Sequence, residues 1–276
     1  MKPEVDWQKI LIECKNKVQT AIKPYQKSIK EPQPNLGVGA GGDAMKPMDL
    51  AAETAILDTL KRHEVSFTLI SEESGVKKFG ETPGECFVTV DPIDGSTNFM
   101  HGLPFYCCSI AVSIKRMLGD VYVGMVADLV HGATYTAIEG EGAFRNGEKI
   151  KPSTTTVLRD AVIGLDLNTY KVKEIVPRLT GLIAETKHIR HFGANALELC
   201  FVADGSTDAF VDIRGKLRTT DVAASFLIVK ESGGIITTPD NQTVNVELDP
   251  QKTLSFVTSG NSEIHKKILN LVKSAC

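Results

Sequence analysis

Residues 91–98 read DPIDGSTN: two acids three apart, a proline between them, then Gly-Ser-Thr. Asp, Pro and Gly also build plain turns, because proline presets φ, glycine accepts positive φ and Asp bonds its own backbone. The chemical alternative starts from the acids. If a strand end and Pro92 fix the backbone, the Asp91 and Asp94 carboxylates converge on one point. Converging carboxylates raise one another's pKa, and a divalent cation removes that penalty. Oxygen ligands suit magnesium, which keeps waters and shares its shell with substrate phosphate. Gly95, Ser96 and Thr97 add backbone N–H groups and two hydroxyls at what reads as a helix start, a favourable place for a phosphate. Other acids strengthen the reading. SEES places Glu72 and Glu73 at the end of a neighbouring candidate strand, and TTDVAAS places Asp221 before an apolar helix, where an N-cap is the ordinary role. A phosphoryl-aspartate mechanism of the D-x-D-x-T type needs acids two apart on the first strand. Here they are three apart and mid-chain, so a metal-activated water is the expected nucleophile.

Regular elements must hold these residues. Trp7, Ile10, Leu11, Cys14, Val18, Ala21 and Ile22 recur at helical spacing, and DLAAETAILDTLKRH (49–63) predicts a second helix with Asp49 near its N-cap. Between them, KEPQPNLGVGAGGDAMKP (30–47) reads as a mobile loop. Its Gly37, Gly39 and Gly42 fit G-x-G-x-x-G, but a dinucleotide turn follows a strand and opens a helix, and Pro32, Pro34 and Pro47 flank this one. SFTLI (66–70) and CFVTV (86–90) read as buried strands that stop at the two acid clusters. CCSIAVSI, DVYVGMVADLV and GATYTAIEGEGAFRNGEKI continue as a mostly antiparallel meander with a hairpin at Asn146-Gly147. The second half alternates strands near 161–167, 188–192, 207–213 and 254–259 with helices over 171–186, 194–204, 221–232 and 262–275. That order predicts an α/β (α+β) protein with mixed sheets between helix layers.

The formal net charge of −3 leaves no basic excess for nucleic acid. Residues 1–276 read as one unit of two tightly packed lobes, about 1–150 and 151–276. Cys14, Cys86, Cys107, Cys108, Cys200 and Cys276 form no C-x-x-C pair and no zinc spacing, and are expected as reduced core residues. The start lacks a signal-like apolar stretch and no run approaches the roughly 20 apolar residues of a membrane span, so a cytoplasmic protein without a membrane partner is expected. No Ser/His/Asp triad emerges from the scattered histidines.

DPIDGSTNFMHGLPFYCCSIAV (91–112) resembles the first signature of the inositol monophosphatase family, and TDVAASFLIVKESGG (220–234) its second, at fitting spacing. SEES, GEGAFRNG and GANALELCFVADGSTDAF carry the similarity through most of the chain. The resemblance implies a layered αβαβα sugar-phosphatase fold, a homodimer, and magnesium-dependent, lithium-sensitive hydrolysis of phosphomonoesters. By the same resemblance Glu72, Asp91 and the Ile93 carbonyl hold a first ion, and Asp91, Asp94 and Asp221 a second with Asp91 bridging. A third, weaker ion leans on Glu72. Gly95, Ser96 and Thr97 match the phosphate turn, and Glu72, Ser96 and Asp49 are the expected catalytic residues, with Ser96 and Asp49 orienting the attacking water. Gly193, Ala194 and Asn195 match the family's substrate-side helix start, and His101 is expected in a packing or supporting role.

Thr220 departs from the family's usual Trp before the second-signature Asp. Asp212 or Arg214 falls near the glutamate that holds sugar hydroxyls in inositol-specific members, and Arg214 is expected to grip a second phosphate through its planar fork. Lys216 and Arg218 stay open between solvated charges and substrate contacts. VDIRGKLR is similar to archaeal members that hydrolyse fructose 1,6-bisphosphate as well as inositol monophosphate, which makes these the expected substrates. The rivals are an adenosine 3',5'-bisphosphate or NADP phosphatase and, from another class, a non-catalytic ligand-binding homologue. Against the last stands the complete set Glu72, Asp91, Asp94 and Asp221.

Overall fold

The computed structural model describes residues 5–26, 34–167 and 170–273. Helix α1 (Trp7–Gln26) buries Trp7, Ile10, Leu11, Cys14, Val18 and Ile22, one stripe at i, i+3, i+4 spacing, and packs on α2 (Pro47–Arg62). Pro47 opens α2 because the first helical N–H needs no intrahelical partner. Lys46 therefore takes the cap position, and Asp49 sits in the first turn, near the N-cap as expected. Of the loop expected before α2, positions 30–33 lie outside the described residues. Beyond them Val38 and Ala44 form a single antiparallel bridge, so the glycine pattern does not follow a strand.

The first sheet has the order β2-β1-β3-β4-β5-β6-β7-β8. Its strands are β1 (Phe67–Ser71), β2 (Gly75–Phe79), β3 (Phe87–Asp94), β4 (Cys107–Ser113), β5 (Val121–Asp128), β6 (Thr134–Ile138), β7 (Gly142–Arg145) and β8 (Glu148–Lys149). All neighbours are antiparallel except β1 and β3. Strand β2 escapes the sequence reading because GVKKF is an edge strand with exposed residues in succession, so no buried alternation marks it. Asn146 and Gly147 both have positive φ, 52° and 83°, as a two-residue hairpin turn requires.

The second sheet has the order β10-β9-β11-β13-β12. It comprises β9 (Val162–Leu165), β10 (His188–Arg190), β11 (Ala209–Arg218), β12 (Ile235–Thr237) and β13 (Thr253–Ser259). The helices α4 (Val172–Glu185), α5 (Asn195–Ala203), α6 (Thr219–Ser232) and α7 (Ser262–Lys273) complete it, and the expected end of α7 at 274–275 lies outside the described residues. Strand β11 continues past the expected end at 213 through RGKLR and runs straight into α6.

Stacking follows from which faces are apolar. Helices α1 and α2 cover one side of the first sheet, α5 and α6 lie between the sheets, and α4 packs with α7, which contacts β13 on the far side of the second. The layers are α/β/α/β/α, as the family resemblance implies. Helix α6 is buried almost all round, from Thr219 to Val229. It approaches β5 so closely that a Cβ on Gly124 would lie 2.8 Å from the Ala224 carbonyl oxygen, which only glycine avoids. The five described cysteines are free and buried. Among the described residues no helix is long and apolar enough to cross a membrane.

Candidate active site

Parallel pairing of β1 and β3 brings their C-terminal ends to the same edge, with Ser71 opposite Val90. Glu72 and Asp91, each the next residue, therefore emerge side by side. In an unbroken strand, residues three apart point to opposite faces. Asp91 pairs with Ser109 and Asp94 with Cys107, so β3 spends one more residue than β4 over this stretch. Pro92, lacking an N–H, falls inside that bulge. The extra residue returns Asp94 to the side of Asp91. Gly95 follows at φ 87° and turns the chain into the short helix α3 (Ser96–His101); a Cβ there would lie 3.0 Å from both the Ala194 Cβ and the Phe105 carbonyl oxygen.

Asp221 comes from the opposite half of the chain. It is the third residue of α6, and its Oδ2 accepts from the Arg218 backbone N–H at 3.0 Å. Arg218, not Asp221, holds the cap position. Oxygens of Glu72, Asp91 and Asp221 lie within 4.8 Å of one another. Asp94 is also buried nearby, with Oδ2 accepting from the Ala196 N–H at 2.6 Å and from the Cys107 thiol at 3.6 Å. It thus ties the acid cluster to the start of α5.

The electrostatics are those of a site short of positive charge. Burial first, then the neighbouring carboxylates, pushes Glu72 and Asp91 well above the usual carboxylate range, and burial with Asp221 moves Asp94 up to about 7. Asp91 Oδ1 is buried with no hydrogen-bond partner. Behind the cluster Asp49, 2% exposed, also has an unpartnered buried oxygen and is pushed up to about 8 by burial and by Glu73. One cation does enter. Arg218 lies 2.6 Å from Glu72 Oε2, 3.3 Å from Asp221 Oδ1 and 2.8 Å from Asp43 Oδ2. An orphaned buried carboxylate oxygen among hard oxygen donors fits a divalent cation.

These groups open into a cavity of about 700 Å³, lined by the acids, Ile93, Gly95, Ser96, Thr97, Gly193, Asn195, Arg214, Lys216 and Arg218. The structure brings together the expected residues with three revisions. Ser96 Oγ accepts from Lys46 Nζ at 2.5 Å, a partner the sequence did not suggest. Ala194 is fully buried beneath the wall rather than on it. Arg214 lines the cavity but is 5% exposed, with Nε and Nη2 donating to Asp212 and Nη2 also to Asp166. Two carboxylates neutralise it, so it brings no net positive charge to a second phosphate and is not the free clamp expected. His101, expected to pack, is exposed at the end of α3.

Several contributors were invisible in the sequence. Lys46 reaches Ser96 from the residue before α2, and Asp43 meets Arg218 from a glycine-rich loop. Glu198 is 3% exposed and accepts from the Phe192 and Gly193 N–H groups at 3.2 and 2.9 Å, which holds the Gly193 turn (φ 81°) against the cavity. Lys46 and Asp43 meet partners 50 and 175 residues away, for which spacing gives no signal, whereas Glu198 bonds backbone groups only five and six residues before it, where no motif marks the contact. Lys46 alone had a local cue, its place beside the helix-opening Pro47.

The family model described as "Inositol monophosphatase family" matches residues 6–275. The chain belongs to the inositol monophosphatase family. As a member it is a phosphoric monoester hydrolase, and its relatives include several archaeal proteins. A fructose-1,6-bisphosphatase/inositol-1-monophosphatase of Archaeoglobus fulgidus is 37% identical over 276 residues, covering 98% of this chain and 99% of the relative. A bifunctional NADP phosphatase/NAD kinase of Methanococcus maripaludis is 34% identical over 277 residues; this chain spans 47% of that longer protein. Among solved structures, an inositol monophosphatase-fructose 1,6-bisphosphatase has a TM-score of 0.85 at 29% identity, covering 99% of this chain and all of that one. By their names, these relatives act on different phosphate esters.

Proposed function

We propose that the protein is a magnesium-dependent phosphomonoesterase of small sugar and polyol phosphates, with fructose 1,6-bisphosphate and inositol 1-phosphate as substrates. The observation that carries this is the meeting of Glu72, Asp91 and Asp221 within 4.8 Å, beside Asp94 and with Asp91 Oδ1 unpartnered, at the mouth of the Gly95 turn. Glu72, Asp91, the Ile93 carbonyl, Asp94 and Asp221 would hold two to three ions. When bound there, magnesium would supply an acidified water and neutralise charge on the phosphoryl oxygens.

The chain's own groups do the rest. Backbone N–H groups of Gly95, Ser96 and Thr97 present donors to the phosphate, and Gly95 is the residue whose backbone can make that turn. Lys46 fixes the Ser96 hydroxyl. Asp49, buried behind the cluster with an unpartnered oxygen and held above the usual carboxylate range by burial, would orient the attacking water together with Ser96. Asp94 locks the start of α5, and with it Gly193 and Asn195, against the metal cluster. Thr220, fully buried, donates to Asp221 Oδ1 at 3.0 Å and so orients a ligand oxygen. A cytoplasmic, lithium-sensitive homodimer of a single two-lobed unit is the accompanying reading, supported by family membership.

Phosphate release from fructose 1,6-bisphosphate, inositol 1-phosphate and NADP, each with magnesium or with EDTA, tests the proposal. Magnesium-dependent turnover of the first two is expected. Turnover of NADP alone would move the substrate to the dinucleotide class of the Methanococcus relative, and turnover without any metal would remove the ligand assignment.

A further inference from the structure

The lysine and arginine side chains that line the cavity all come from the last five residues of β11: Arg214, Lys216 and Arg218. They differ in what already holds them. Arg214 carries Asp166 and Asp212; Arg218 carries Glu72, Asp221 and Asp43. Lys216, between them in sequence, is exposed and makes no ion pair with a carboxylate among the described residues. Its recorded contact is with the Tyr170 ring, 5.8 Å from Nζ to the centroid, and Lys171 stands over the same ring at 5.3 Å.

The backbone explains why Lys216 faces the cavity. In a regular strand Lys216 and Leu217 would point to opposite sides. Gly215 has φ 64°, and the pairing of β11 with β13 shifts register between Asp212 and Leu217. Lys216 and Arg218, two apart, share the cavity side, while Leu217 between them packs into the core cluster at the cavity edge. A lysine at such a place keeps a strongly hydrated, mobile charge on a long stem.

Charge balance then separates two kinds of substrate. One phosphate is served by the metal cluster and the Gly95–Thr97 turn. A second phosphate entering the same cavity meets the Asp166–Arg214–Asp212 group, which holds two acids for one guanidinium, and needs a cation that is not already matched. Among the described lining residues, Lys216 is the lysine or arginine that meets this condition. We propose that Lys216 binds a second phosphate of the substrate and thereby sets a preference for doubly phosphorylated substrates over monophosphates. This rests on the phosphomonoesterase reading above. The ligand is a small phosphomonoester with another phosphate group remote from the scissile one, either a sugar bisphosphate or a dinucleotide phosphate.

The test compares wild type, K216M and K216R with magnesium on fructose 1,6-bisphosphate, NADP and inositol 1-phosphate. K216M is expected to raise KM for a doubly phosphorylated substrate about tenfold or more, the weight of one charge-assisted hydrogen bond, with kcat little changed. Both constants for inositol 1-phosphate should stay within about twofold, and K216R should restore most of the loss. A rise confined to fructose 1,6-bisphosphate assigns the sugar bisphosphate, and one confined to NADP the dinucleotide. Unchanged KM for both, or an equal rise for inositol 1-phosphate, overturns the role of Lys216. If wild type hydrolyses none of the three, the phosphomonoesterase reading fails by itself. Calorimetric titration of fructose 1,6-bisphosphate then decides for Lys216: equal affinity for wild type and K216M overturns it, and a tenfold weaker K216M supports it.

Discussion

Strand β11 carries two arginines into two buried acid groups, and the groups are balanced differently. Around Arg214 stand Asp166 and Asp212, both bonded to it, and His191 lies 3.5 Å from the outer oxygen of Asp166. Around Arg218 stand Glu72, Asp221 and Asp43, with Asp91 and Asp94 close behind. In the first group both carboxylates are hydrogen-bonded to the arginine, and it behaves as a structural lock between β9, β11 and the 191–195 turn. The second leaves a buried Asp91 oxygen with no partner. Satisfied burial of charge holds a wall in place, whereas unsatisfied burial of charge marks a place where a ligand completes the balance.

The comparison breaks first at Asp91. D91N should lower magnesium-dependent turnover about a thousandfold, several kcal/mol of lost stabilisation. Its folded-state pKa is raised, so Asp91 contributes stability that is present at low pH and lost as pH rises through the folded value. The metal-free D91N protein should consequently melt higher than metal-free wild type at pH 8.5, and lower than wild type once magnesium is added. Melting curves with and without the ion check both, and a metal-free variant less stable than wild type would contradict the unsatisfied-charge picture.

Next come the arginines themselves. R214A strands two buried carboxylates and should destabilise the protein by about 3–5 kcal/mol whether or not magnesium is present. R218A removes a cation from a cluster that magnesium can also neutralise, so its loss should shrink when the ion is added. Chemical denaturation of both variants in magnesium and in EDTA reads the difference; equal magnesium responses would erase the distinction between the two groups.

The smallest effect is expected at Glu198, away from the metal ligands. Burial pushes its carboxyl up to about 8 from an ordinary 4.5. With the folded pKa raised, its stabilising contribution is complete below the unfolded value and declines as pH rises from there through about 8. E198Q keeps an oxygen for the Phe192 and Gly193 N–H groups and removes the titration. Its denaturation midpoint should fall less than that of wild type between pH 5 and pH 8, and parallel profiles would show that Glu198 does not carry this dependence.

Much of this was legible in the chain because the chemistry is local. Asp91, Pro92 and Asp94 already require a backbone that departs from alternation, and Gly95 requires a left-handed residue, so DPIDGST announces a turn of acids without any long-range information. The apolar runs of β1, β3 and α6 are continuous because both sides are covered, and their ends give the acids their place. Charge pairing was not legible. VDIRGKLR itself holds Asp212, two residues from Arg214, but it gives no sign of Asp166, 48 residues away, which completes that group, nor that Lys216 meets no carboxylate among the described residues. Strands β2 and β12 went unseen because they are short and poorly buried, so tertiary pairing rather than pattern decides them.

Helix α6 brings Asp221 to the cluster only by lying between the two sheets. Glu72, Asp91 and Asp94 are near neighbours in the chain and can gather as soon as the first sheet has formed. Asp221 cannot join them until the second half is synthesised, paired and docked, which is a slow class of event because the contact spans most of the chain. On the proposed assignment, binding of a divalent ion by all four acids would report completed folding: a chain arrested with one sheet formed would hold three of the acids and lack the fourth.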